Sequence, residues 1–99
     1  MKKKSNSLTI RETFLTAIKN YKEKDFKTAE IFCYKILSID PNNFDSIFLL
    51  ANIAAIKRNF DQANNLLHQA IRIQPQNVSA LNNLGTTYKE LGKFENAIN

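Results

Sequence analysis

From Phe60 to Ile73 the chain sets apolar residues at Phe60, Ala63, Leu67, Ala70 and Ile71. Steps of three and four residues gather these side chains on one face of an α-helix. The stretch before it, Phe44 to about Lys57, is apolar along most of its length and predicts a second helix, with Arg58 and Asn59 as the connection. Asn59 stands where a side-chain oxygen can cap the later helix, and Gln62, three residues on, is placed to return the bond. Pro75 has no amide hydrogen and disfavours helical backbone at Gln74, so the helix must stop there. Asn77 can then cap the helix that follows.

This two-helix unit recurs. Pro41 and Pro75 are 34 residues apart, as are the members of the series Ala29, Ala63, Ala97 and Phe26, Phe60, Phe94. The series Ala17, Ala51, Gly85 and the pairs Ile39–Ile73, Asn43–Asn77 and Leu50–Leu84 keep the same step. A shared register across apolar, small, polar and imino positions marks a duplicated structural unit. The first copy predicts a capping box from Thr9 to Glu12, a helix from Ile10 to about Glu23, a cap at Asp25 and a helix from Phe26 to about Ser38. The third predicts a helix from Val78 to about Leu91, a turn at Gly92 and a second helix that starts at Phe94 and is interrupted at Asn99. Small residues at 17, 51 and 85 let two antiparallel helices approach closely, aromatics at 26, 60 and 94 fill the wedge beside the crossing, and larger Leu and Ile residues seal one unit against the next.

A helix–turn–helix unit of 34 residues with this pattern resembles the tetratricopeptide repeat. The resemblance is carried by "IFLLANIAAIKRNFDQANNLLHQAIRIQPQN" and "LNNLGTTYKELGKFENAI", in the latter by Leu84, Gly85, Tyr88, Gly92, Phe94 and Ala97. The first copy departs from it, with Thr13 and Thr16 at bulky positions and Lys24 in place of Gly at the turn. The implied fold is all-α, a right-handed superhelical solenoid of two full repeats, residues 10–43 and 44–77, and an incomplete third, 78–99. Residues 1–8 are expected to form a basic flexible tail ahead of an array spanning 9–99.

In this family the first helix of each unit lines a concave groove. The positions this implies here are Phe14, Ile18 and Tyr21, then Asp45, Phe48, Asn52, Ala55 and Ile56, then Ser79, Asn82, Asn83, Thr86, Lys89 and Glu90. Asn52 is the polar exception among the ten residues from Ile47 to Ile56. A carboxamide there loses hydration unless it finds partners. It either grips a ligand's backbone or bonds a neighbouring part of the chain. Asn83 lies where the family often places a second such residue. Phe14, Ile18, Tyr21, Phe48 and Ile56 serve as an apolar groove floor on one reading and as ordinary packing on the other. The family's clamp for terminal carboxylates needs cations that Phe14, Ile18, Leu49, Ser79 and Asn83 do not supply, which excludes chaperone tails as partners.

Composition narrows the chemistry. The 99 residues are 43% apolar and 23% charged, a globular balance. The net charge of +5 includes Lys2, Lys3 and Lys4, so the remainder is only mildly basic and predicts no nucleic-acid partner. The richest apolar run, Ile47 to Ile56, is far shorter than the roughly 20 residues of a membrane span. A lone cysteine and the lack of a secretory signal fit a soluble cytoplasmic chain. Cys33 falls on an apolar helical face and His68 on a solvated one, so neither catalytic nor metal-binding residues are expected, and no cofactor.

The expected function is a non-catalytic scaffold that binds a protein or peptide. The alternative is the substrate-presenting repeat region of a larger glycosyltransferase, sulfotransferase or methyltransferase. The interrupted third unit holds Leu84, Tyr88, Leu91, Phe94 and Ile98 without most of its closing helix, which predicts an apolar end that invites self-association, or fraying after about Gly92.

Overall fold

The computed structural model describes the backbone of residues 2–98 and the side chains of residues 9–93. It contains five helices, α1 (Lys2–Lys22), α2 (Phe26–Ile39), α3 (Phe44–Ile56), α4 (Phe60–Ile73) and α5 (Val78–Ile98), with no strand among the described residues. The fold is an all-α helical repeat. The chain divides after Ser46 into two compact units, α1 with α2 in the first and most of α3 with α4 and α5 in the second.

The duplication is written in the hydrogen bonds. In the first unit the Asp25 N–H donates to the Asn20 carbonyl at 2.9 Å and the Lys24 N–H to the Tyr21 carbonyl at 3.0 Å. In the second, the Asn59 N–H donates to the Ala54 carbonyl at 2.8 Å and the Arg58 N–H to the Ala55 carbonyl at 3.0 Å. Each pair is a Schellman closure, and it requires a left-handed residue just past the helix. Lys24 and Arg58 occupy that position with φ of 65° and 62°. Asp25 and Asn59 then turn from closing one helix to capping the next, accepting from the Thr28 and Gln62 amides. Gln62 does not return the bond to the Asn59 backbone N–H, which is committed to the Ala54 carbonyl; instead the Asn59 side-chain Nδ2–H donates to Gln62 Oε1 at 2.9 Å.

Helix ends follow the same step. The Asp40 and Gln74 amides close α2 and α4 onto the Ile36 and Ala70 carbonyls. Pro41 and Pro75 follow at once. Asn43 and Asn77 accept, through Oδ1, from the Ser46 and Ala80 amides, both at 3.0 Å. Local cap chemistry therefore sets the boundaries of α2, α3 and α4 within a residue of the sequence expectation.

The buried residues pair across the step as well. Ala17 with Ala51, Ala29 with Ala63, Cys33 with Leu67 and Ile36 with Ala70 are all buried. Burial, and after it the nearby Glu30 charge, push the Cys33 thiol up to about 12, so the group is an inert core residue at neutral pH. Ser46 and Ala80 are another pair, both fully buried, but the Ser46 hydroxyl has no hydrogen-bond partner.

Three expectations at the ends of the array are corrected. Helix α1 begins at Lys2, before Ile10, so Thr9 lies within the helix and no capping box with Glu12 forms. Helix α5 runs without interruption through Gly92 to Ile98, so Gly92 is helical and no second helix starts at Phe94. Its neighbour Lys93 stands where the other copies have Asp25 and Asn59, and a lysine side chain cannot accept from the amides of a following helix. Continuing α5 instead gives those amides in-helix carbonyls. Because α5 does not fold back, no crossing forms over Gly85, and a Cβ placed there would meet nothing within 4 Å. The side chains of Phe94, Ala97 and Ile98, which carried part of the repeat pattern, lie outside the described residues.

Candidate functional site

The residues of interest lie on α1, α3 and α5, the first helices of the three copies. On α3 the sequence is apolar nearly all round, and the interior takes Ile47, Leu49, Leu50, Ala51, Ile53 and Ala54. Asn52 falls on the remaining strip and is half-buried. Asn83 of α5 is half-buried too, and its side-chain amide donates to Asn52 Oδ1 at 2.9 Å. The two carboxamides, 31 residues apart in sequence, thus bridge two first helices. Each carboxamide has two donors and an acceptor with two lone pairs, so the shared bond leaves the pair with further capacity.

Around this pair the positions of the second unit that the resemblance implies for a groove differ in exposure. Phe48 is half-buried, while Ile56, Asn82, Thr86 and Lys89 are exposed. The Thr86 hydroxyl donates back to the Asn82 carbonyl at 3.1 Å. Glu90 is engaged with Arg58 at 3.8 Å and Lys93 at 3.4 Å. Both partners are largely exposed, so these pairs add little stability. Arg58 also lies over the Phe60 ring, 5.3 Å from its centroid.

In the first unit Phe14, Ile18 and Tyr21 are half-buried on α1. Tyr21 meets Phe26 edge to face with centroids 5.7 Å apart, which ties it to the hairpin's own packing. Phe14 and the exposed Asp45 line one open concavity of about 330 Å³, together with Ile10, Arg11, Leu15 and Asn43. The structure thus joins Asn52 with Asn83, and Phe14 with Asp45.

Sequence reasoning missed one cross-helix link. His68 of α4 is exposed as expected, but its Nε2 lies 2.9 Å from the Tyr88 hydroxyl of α5. No local motif signals such a contact, because residues 20 apart meet only through packing. Among the described residues no group of three or more His, Cys, Asp or Glu side chains could hold a metal ion. No helix among them is long and apolar enough to cross a membrane.

Residues 15–99 match the family model described as anaphase-promoting complex, cyclosome, subunit 3, a model of tetratricopeptide type. The chain belongs to this family of tetratricopeptide repeats. It is 29% identical over 91 residues to a UDP-N-acetylglucosamine–peptide N-acetylglucosaminyltransferase of Caenorhabditis elegans, a match covering 92% of this chain and 8% of that protein. A solved structure of a mutant Thermobaculum terrenum O-GlcNAc transferase superposes with a TM-score of 0.79 at 27% identity, over 83% of this chain and 16% of that one. The chain therefore spans under a tenth of its curated relative and about a sixth of its solved one. Both relatives are glycosyltransferases, and the shared part is the repeat region.

Proposed function

We propose that this chain is a non-catalytic interaction scaffold that binds a peptide or protein along the faces of its first helices. The observation that carries the reading is the half-buried pair Asn52–Asn83, polar groups on two first helices that are otherwise mostly apolar where they pack. Carboxamides fixed in this way suit the alternating N–H and C=O groups of an extended backbone, which recognises length and conformation more than side-chain identity. Asn82, Thr86 and Lys89 supply exposed polar contacts beside them, and Phe48 and Ile56 supply apolar area. Exposed Leu81 and Tyr88 on α5 support self-association as a secondary property. Cytoplasmic residence belongs to the same proposal.

The comparisons favour one wider setting. Two relatives that share the repeats are O-GlcNAc or N-acetylglucosaminyl transferases. In that setting the repeats hold an acceptor protein for a catalytic domain elsewhere in a larger protein.

The test is isothermal titration with an extended peptide selected against the full chain. Asn52→Ala and Asn83→Ala should each weaken binding about tenfold, the effect of one lost hydrogen bond. Methylating one contacting peptide amide should do the same. Affinities that ignore all three changes would show that the asparagine pair is structural only.

A further inference from the structure

We propose that the concavity between α1 and the start of α3 takes one apolar side chain of an extended partner segment whose flanking residues are one acid and one base. This inference rests on the scaffold reading and specifies the partner's chemistry at a second place. Three apolar side chains of α1, Ile10, Phe14 and Leu15, form part of the wall, and Leu15 is 60% exposed. At about 330 Å³ the space lies at the low end of the roughly 300–1,000 Å³ of small-ligand pockets. That suits one bulky side chain rather than a cofactor.

Two charges of opposite sign share the rim. Arg11 and Asp45 both line the concavity, and no ion pair joins either one to another described residue. Asn43 is already committed, giving its amide to Asp40 and its oxygen to the Ser46 N–H. The unmatched chemistry is therefore a guanidinium that wants a carboxylate and a carboxylate that wants a cation. A phosphate, nucleic acid or anionic lipid would meet Arg11 but be repelled by Asp45. A peptide with an acid, an apolar residue and a base in succession matches all three elements.

The repeat itself does not dictate this arrangement. One step along the chain, the counterparts of Arg11 and Leu15 are Asp45 and Leu49, and Leu49 is 4% exposed. One step beyond Asp45 stands Ser79. The charge pair over an open apolar wall belongs to the first unit alone among the described residues.

The experiment titrates fluorescein-labelled peptides into the full chain at low salt and reads anisotropy. The peptides share extended Gly/Ser flanks and carry Glu–Leu–Lys, Lys–Leu–Glu, Gln–Leu–Gln or Glu–Ser–Lys at the centre. One of the two charged, leucine-bearing orders should bind about tenfold more tightly than the other three. The double exchange Arg11→Asp with Asp45→Arg should reverse the preferred order, a gain that a folding fault cannot mimic. Equal binding of all four peptides, or a preference untouched by the exchange, would overturn the assignment. So would saturable binding of free leucine, or a dimer in light scattering that the exchange dissolves, since either makes the occupant something other than a partner peptide. A selected peptide that needs Asn52 and Asn83 but ignores the exchange would sink this pocket and leave the scaffold standing. A wild-type chain that binds no selected peptide would remove both.

Discussion

Arg58 and Gly92 are one repeat step apart, and the chain treats them in opposite ways. Arg58, a residue with a Cβ, is held at a positive φ to close α3 and launch α4. Gly92, the residue type best suited to that conformation, stays helical inside α5. Left-handed backbone costs a non-glycine residue about 1–2 kcal/mol, so intrinsic preference alone would assign the turn to Gly92 and deny it to Arg58. What differs is the surroundings. Asn59 caps the helix after Arg58, α4 contributes Ala63, Leu67 and Ala70 to the interior, and α3 offers a continuous apolar surface. After Gly92 comes Lys93, with no cap. A tetratricopeptide turn is thus held by the helices it joins, and the glycine at its apex is a convenience.

The largest expected contrast is in the core. Ile47 is 2% exposed, and its counterpart Leu81 is 44% exposed. Ile47→Ala should lower unfolding free energy by about 2–5 kcal/mol, and Leu81→Ala by under about 1 kcal/mol. Urea titration followed by circular dichroism measures both. Similar losses at the two sites would mean that α5 is covered as fully as α3.

A smaller contrast lies at the crossing position. Ala51 is 1% exposed, so Ala51→Leu should overpack the helix pair and cost about 1–3 kcal/mol. Gly85→Ala should stabilise by about 0.5–1 kcal/mol, since a helical glycine is exchanged for alanine in open space. A loss at Gly85 would place a crossing helix there after all.

The smallest effects concern the turns. Lys24→Gly should raise stability by about 0.5–1 kcal/mol, the relief of left-handed strain less the added freedom of the unfolded chain. Gly92→Ala should stabilise by a similar amount for the opposite reason, because the residue is helical. Thermal melts read both, and a destabilising Gly92→Ala would mean that this glycine occupies the turn conformation.

These contrasts also mark how far the sequence could be read. Asn59 with Gln62, Asp25, Pro41 and Pro75 act on backbone within a few residues of themselves, so the limits of α2 and α4 were legible. The 34-residue step exposed the duplication because each copy solves the same packing problem with the same residue classes. Gly92 and Gly85 misled because their roles depend on a helix folding back over them. The Thr9–Glu12 box misled because nothing local stops α1 from starting earlier. For the candidate site, Asn52 and Asn83 stood out as polar residues on first helices, but their bond to each other is a product of packing. That Arg11 and Asp45 line one concavity had no sequence signal, since neither position shows a charge pattern along its own helix.

One hairpin closure occurs twice in this chain and stops short of a third time. Nuclear magnetic resonance can detect couplings through individual hydrogen bonds. Couplings are expected from the Asp25 amide to the Asn20 carbonyl and from the Asn59 amide to the Ala54 carbonyl, both five residues back, and from the Lys93 amide to the Lys89 carbonyl, four back. A five-residue closure at Lys93, or its absence at Asn59, would contradict this pattern.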